Sequence, residues 1–87
     1  MNTRVIVDVR EPFEFESGHV KGALNIPPTS LMAGAPELAD VAKDAEIVLY
    51  CRTGSRSNVA MQILKQQGFT NLVNGVSAGR VEKTYGL

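Results

Sequence analysis

Cys51-Arg52-Thr53-Gly54-Ser55-Arg56 is a short polar loop that holds one nucleophile and two fixed positive charges. The thiolate, not the thiol, attacks an electrophile, and an ordinary cysteine titrates at about pH 8.5, so a reactive cysteine needs surroundings that stabilise the anion. The loop offers three. Its backbone amides can curl into an anion-binding nest, with Gly54 free to take the tight curl. The helix predicted to follow points its N-terminal amides, with their partial positive charge, at the same place. Arg52 and Arg56 add full charges, while Ser55 and Ser57 can cap that helix or donate to a bound anion. Cys51 could instead be a buried structural thiol, and each arginine could lie in solvent or pair with a carboxylate. A thiol that ends an apolar strand and leads a loop with two arginines and a glycine favours the reactive reading, nucleophilic covalent catalysis.

Such a loop needs a scaffold, and the chain has the pattern for one. Val5-Ile6-Val7-Asp8-Val9 reads as a buried strand. Glu11-Pro12 opens a short helix that Gly18 ends. Ala23-Leu24-Asn25-Ile26 is a second strand, stopped by Pro27-Pro28. Thr29 or Ser30 could cap a short turn, and Pro36 could start a helix ending near Lys43. Glu46-Ile47-Val48-Leu49-Tyr50 is a third strand. Val59, Ala60, Ile63 and Leu64 recur at helical spacing, which predicts a helix from Ser57 to Gln67 with Gly68 as its stop. Asn71-Leu72-Val73 is a fourth strand, and Gly75 to Leu87 is weakly patterned. Strands without alternation, interleaved with helices, indicate an α/β fold with a small central parallel β-sheet and helices on both faces. Sites in such sheets form at the C-terminal ends of strands, where the Cys51 loop lies.

Composition bounds the rest. The 87 residues are 44% hydrophobic, enough for one core and the size of one domain spanning 1–87. Nine basic residues balance nine acidic ones, which argues against nucleic-acid binding through a broad positive face. With a single cysteine, an internal disulfide and a four-cysteine zinc site are impossible, and any resolving thiol must come from outside. The sequence has no apolar run long enough for a membrane span. Met1-Asn2-Thr3-Arg4 carries no signal-peptide pattern, so a cytoplasmic location is expected.

The run from Val7 to Pro27 contains Asp8-Val9-Arg10, Glu14-Phe15, Gly18-His19-Val20, Gly22-Ala23 and Asn25-Ile26-Pro27 in order. It resembles the N-terminal signature of rhodanese domains. Tyr50-Cys51-Arg52-Thr53-Gly54-Ser55-Arg56-Ser57 is similar to the active-site loop of that family, and Gly68 to Val73 is similar to the strand that follows. The resemblance covers about residues 4–76. It implies a compact α/β domain that takes a sulfane sulfur from a small anionic donor such as thiosulfate, holds it as a persulfide on Cys51 and passes it to cyanide or a thiol acceptor. Cys51 would then be the catalytic residue. Arg52, Thr53, Gly54, Ser55 and Arg56 would bind the donor, their amides cradling the anion and the two arginines attracting it. Neither a metal nor an organic cofactor is needed for this chemistry. A sulfur-carrier role, with loading by a protein desulfurase and unloading to a sulfur-relay protein, shares the chemistry. A non-catalytic interaction module is the third reading, and the retained cysteine counts against it.

Loop length bears on a further alternative. Dual-specificity phosphatases of similar outline place arginine after five intervening residues, whereas here Arg56 follows only four, which suits one sulfur atom better than a tetrahedral phosphate. The resemblance makes His19 a structural part of the Gly-His turn. Asp8 and Arg10 are expected to form a local ion pair, Glu14 to hold a turn, and Phe13, Phe15 and Phe69 to enter the core; Asn25 could organise a loop near the site. Many family members carry a Gly-Gly turn and a tryptophan-bearing helix at the end. Here the chain reads Asn74-Gly75-Val76 with no tryptophan, so the last helix is expected to be short, frayed or absent. Small stand-alone members of the family also have open sites, a resemblance that implies an accessible Cys51 prone to over-oxidation.

Overall fold

The computed structural model describes residues 4–87; the reading of Met1 to Thr3 lies outside them. The elements are β1 (Arg4–Asp8), α1 (Pro12–Ser17), β2 (Leu24–Asn25), α2 (Pro28–Met32), a 3-10 turn at Pro36–Leu38, β3 (Glu46–Cys51), α3 (Ser55–Gln66), β4 (Leu72–Ser77) and α4 (Ala78–Tyr85). The strands form one sheet in the order β2-β1-β3-β4, and every pairing is parallel. The apolar runs of β1 and β3 occupy its two central positions because both of their faces are covered.

Alternation along β3 divides the core. Ile47, Leu49 and Cys51 face one side, where they meet Val7 and Val9 of the β1 segment, Leu31 of α2, Leu38 of the 3-10 turn and Ala60 and Leu64 of α3. Val48 and Tyr50 face the other, against Val20, Ala23 and Val81 of α4, with Phe15 of α1 packed alongside. Helices therefore cover both faces, as the pattern requires. Each large apolar side chain buried here contributes about 1.5–3 kcal/mol by leaving water.

Several local expectations change. The helix expected from Pro36 to Lys43 is only a 3-10 turn, Pro36–Leu38. The segment from Pro28 makes a helical turn instead, with Pro28 at its first position, where a fixed φ and a missing N–H cost nothing. α3 begins at Ser55, two residues before the apolar periodicity starts, because Gly54 takes φ +97° and turns the loop directly into the helix. α4 is a complete helix. Ser77 Oγ accepts the Arg80 N–H at 3.2 Å, Val81 is fully buried, and Gly86 ends the helix in the left-handed region. Phe13 is 74% exposed rather than in the core, whereas Phe69 is buried. Two residues along α1 turn a side chain roughly 200°, so Phe15 facing the sheet sends Phe13 outward.

β4 is longer than the expected 71–73. Leu49 pairs with Asn74 but Tyr50 pairs with Val76, so Gly75 is an extra residue bulged out of register. A Cβ on Gly75 would lie 2.5 Å from Val81 Cγ2 and 2.9 Å from Val48 Cγ1. Only glycine fits there. The next residue, Val76, emerges with φ +74°, a conformation that a β-branched residue enters at a cost.

Candidate active site

Cys51 ends β3 with its side chain on the α3 face, beneath the first turn of that helix. It is 2% exposed, not accessible as expected. The Gly54 N–H donates to Cys51 Sγ at 3.1 Å, and Ser57 Oγ lies 3.5 Å from the same sulfur. Burial alone would push the thiol pKa up. The ionised sulfur gains hydrogen bonds from the Ser57 hydroxyl, once it turns to the sulfur, and from the amides of Ser57, Gly54 and Thr53, and these outweigh burial and bring the pKa down to about 7. Half of the thiol is then ionised near neutrality, the condition a sulfur nucleophile needs.

The loop is braced from β4. Ser57 is fully buried; its Oγ sits 3.1 Å from the Gly54 carbonyl and 2.6 Å from Asn74 Oδ1. Asn74 Nδ2 donates to that same Gly54 carbonyl at 3.0 Å, and Asn74 Oδ1 accepts the Val76 N–H at 3.0 Å. Val76 methyl groups come within 3.4 Å of the space a Gly54 side chain would fill.

The two arginines differ. Arg56 forms two parallel bonds to the Glu14 carboxylate, at 2.8 and 3.1 Å, so the carboxylate-pair alternative is realised for it. That pairing raises the Arg56 pKa. Arg52 is exposed beside Cys51. Thr53 Oγ1 and Ser55 Oγ lie 3.3 Å apart at the exposed rim.

Behind the site, Asp8 is fully buried. It accepts from the Arg10 guanidinium, with a shortest distance of 2.6 Å, and from the Tyr50 hydroxyl at 2.9 Å. Tyr50 in turn accepts the Val20 N–H at 3.0 Å. Burial pushes the phenol pKa up to about 12, so Tyr50 stays a neutral donor.

The family model of the rhodanese-like domain matches residues 1–80. The chain belongs to the rhodanese-like family. It is 42% identical over 69 residues to the uncharacterised protein YqhL of Bacillus subtilis (strain 168), covering 79% of this chain and 52% of that one. It is 34% identical over 70 residues to a sulfurtransferase of Allochromatium vinosum, covering 80% of this chain and 63% of that one. Among solved structures it is similar to the human single-domain sulfurtransferase TSTD1. The TM-score is 0.71 at 30% identity, with 87% of this chain and 75% of that one covered. The chain thus spans about half of YqhL and less than two thirds of the Allochromatium protein.

Within this rhodanese-like domain, Thr53 and Gly54 from the expected loop direct amides to Cys51, and Ser57 joins them from one position beyond it. Asn25 organises a loop near the site, the one that leaves β1 beside the end of β3: its Nδ2 bonds the carbonyls of Asp8 and Arg10, both at 3.0 Å. His19 is exposed, stacked on Phe15 at 3.6 Å, with Nδ1 2.8 Å from the Phe15 carbonyl. That is a turn contact. Asn74 is the site residue that sequence reasoning missed. Its only signal was an Asn-Gly pair at the end of a strand, which reads as a turn. No helix among the described residues is long and apolar enough to cross a membrane.

Proposed function

We propose that this domain is a sulfurtransferase that carries sulfane sulfur as a persulfide on Cys51, loaded from thiosulfate or a similar small anion and unloaded to cyanide or a thiol. The observation that supports it is the Cys51 sulfur held by the Gly54 amide at the start of α3, with its pKa brought down to about 7. In the loading step the Cys51 thiolate attacks the sulfane sulfur. A Cys–S bond to that sulfur forms, the donor S–S bond breaks, and sulfite leaves with the bonding pair. In the unloading step an acceptor nucleophile takes the outer sulfur, and the bonding pair returns to Cys51 as thiolate.

The outer sulfur carries the charge while the persulfide waits, and the loop amides are the donors available to it. Exposed Arg52 supplies the charge that draws an anionic donor to the rim. Arg56, held by Glu14, contributes a fixed positive field and not a mobile clamp. The likeness to proteins named sulfurtransferases supports the reaction class.

Intact-protein mass after incubation with thiosulfate tests the reading. A gain of one sulfur, about 32 Da, that cyanide then removes is expected for a covalent sulfur carrier. Cys51→Ser should show no gain while melting within a few degrees of the wild type. Absence of any gain in folded, reduced wild-type protein would rule out direct loading by thiosulfate.

A further inference from the structure

Ser57 has one hydroxyl proton and three acceptors within reach: the Gly54 carbonyl, Asn74 Oδ1 and Cys51 Sγ. The orientation of the Asn74 amide decides among them. The Val76 N–H can only donate, so the atom facing it must be oxygen; the Gly54 carbonyl can only accept, so the atom facing it must be nitrogen. The 2.6 Å contact between Ser57 and Asn74 Oδ1 is therefore a bond that Ser57 donates. It is the shortest that Ser57 makes, as expected of a strong O–H···O bond. With its proton spent there, Ser57 meets Cys51 as an acceptor, which suits an S–H group and not a thiolate. The Val76 N–H, brought back onto Asn74 by the Gly75 bulge, fixes this arrangement, and Val76 itself is held in the left-handed region. Strained backbone of this kind persists where the surroundings enforce it and collects at working sites.

We propose that Asn74 is a positioning residue that withholds the Ser57 proton from the Cys51 thiolate and so poises the site toward its sulfur-loaded state. The inference rests on the reading of Cys51 as a persulfide carrier. When Cys51 ionises, Ser57 must leave Asn74 to turn its proton to the sulfur. When the persulfide forms, the charge moves to the outer sulfur, the inner Sγ no longer needs that proton, and the Ser57–Asn74 bond is restored. Asn74 thus penalises the empty thiolate and spares the loaded form. The Gly54 carbonyl also accepts the Asn58 N–H at 3.0 Å, so it keeps a partner when Asn74 is removed. The charged groups around Cys51 are Arg52 in its own loop and Arg56 on α3, with Glu14 of α1 behind Arg56. β4 contributes none, so the variants below leave the charges in place or change them in a stated way.

The test is the pH dependence of Cys51 alkylation by iodoacetamide in the full chain, read by mass. Asn74→Ala should lower the thiol pKa by about half a unit to one unit, a roughly three- to tenfold gain in thiolate on the acid side. In a Ser57→Ala background the same change should lower it not at all, the signature of coupling through one proton. In mixtures of thiosulfate and sulfite, Asn74→Ala should hold about three- to tenfold less persulfide at a given ratio. An unchanged or raised pKa in folded Asn74→Ala, or an equal drop without Ser57, overturns the proposal. Should Asn74→Ala fail to fold, Asn74→Asp supplies the opposite sign. Its stronger acceptor should raise the thiol pKa more when Ser57 is present than in Ser57→Ala, where only its charge acts, and an equal rise in both overturns the proposal. Alkylation needs no sulfur transfer, so a wild type that alkylates as stated but takes no sulfur from thiosulfate fails the functional reading and leaves the Asn74 assignment standing.

Discussion

Glu14 does two things with one carboxylate. It accepts the Glu11 N–H at 3.0 Å, which closes the first turn of α1, and it holds both guanidinium nitrogens of Arg56 on the loop-bearing helix. Those bonds, Arg56 first and the Glu11 amide second, outweigh burial and bring the Glu14 pKa from 4.5 down to about 2. A carboxylate lowered on folding adds stability that is complete above its unfolded pKa and is lost as pH falls through the folded one. Glu14→Ala should therefore melt roughly 4–8 °C below the wild type at pH 6, the loss of about 1 kcal/mol for a helix cap in a domain of this size. The difference should close as pH falls from about 4.5 to about 2. Melting curves across that range check it; a gap that persists undiminished at pH 2 would mean that the carboxylate's charge is not what holds α1 to α3.

At the scale of elements, the bulge in β4 is what connects sheet to site. Gly75 adds one residue to the strand. That extra residue turns Val76 back toward Asn74 and lets α4 start at Ala78. A methyl group at residue 75 would meet Val81 and Val48 side chains and approach the Leu49 carbonyl at 3.2 Å. Gly75→Ala should cost about 1–3 kcal/mol, the usual range for overpacking, and should also disturb Cys51 reactivity because it moves the residues that brace Gly54. Urea unfolding together with the alkylation rate measures both; a stable variant with altered chemistry would separate them. β1, β3 and α3 were legible in the sequence because continuous apolar runs and a helical stripe are signals of the chain itself. The bulge and α4 were not. A bulge depends on what a neighbouring helix occupies, and α4 is specified by a Ser77 cap, one buried Val81 and a Gly86 stop, too few positions to stand out as a period. The same division holds at the site. Cys51, Thr53 and Gly54 could be read from one contiguous loop. Ser57 stood out only as a possible cap or anion donor, and Asn74 joins it across 17 residues through a register shift that no local pattern encodes.

For the molecule as a whole, the two-sided sheet separates chemistry from anchorage. Cys51 and Tyr50 are neighbours in β3, yet alternation sends them to opposite faces. The Cys51 face carries the candidate nucleophile and α3. The Tyr50 face carries a closed polar knot, in which Tyr50 donates to Asp8 and accepts from the Val20 N–H while Arg10 neutralises Asp8. Tyr50→Phe would leave the buried Val20 N–H without its acceptor and remove one donor from Asp8, a penalty of about 1–3 kcal/mol. That is a large share of the roughly 5–15 kcal/mol that holds a domain together, and a chain this short sits toward the low end. Yet the variant touches nothing on the other face. Equilibrium unfolding should report the loss, while the Cys51 alkylation rate and its pH midpoint near 7 stay unchanged below the transition. A shift in that midpoint would show that the polar knot tunes the Cys51 thiol through the strand they share, and the division of labour between the faces would have to be abandoned.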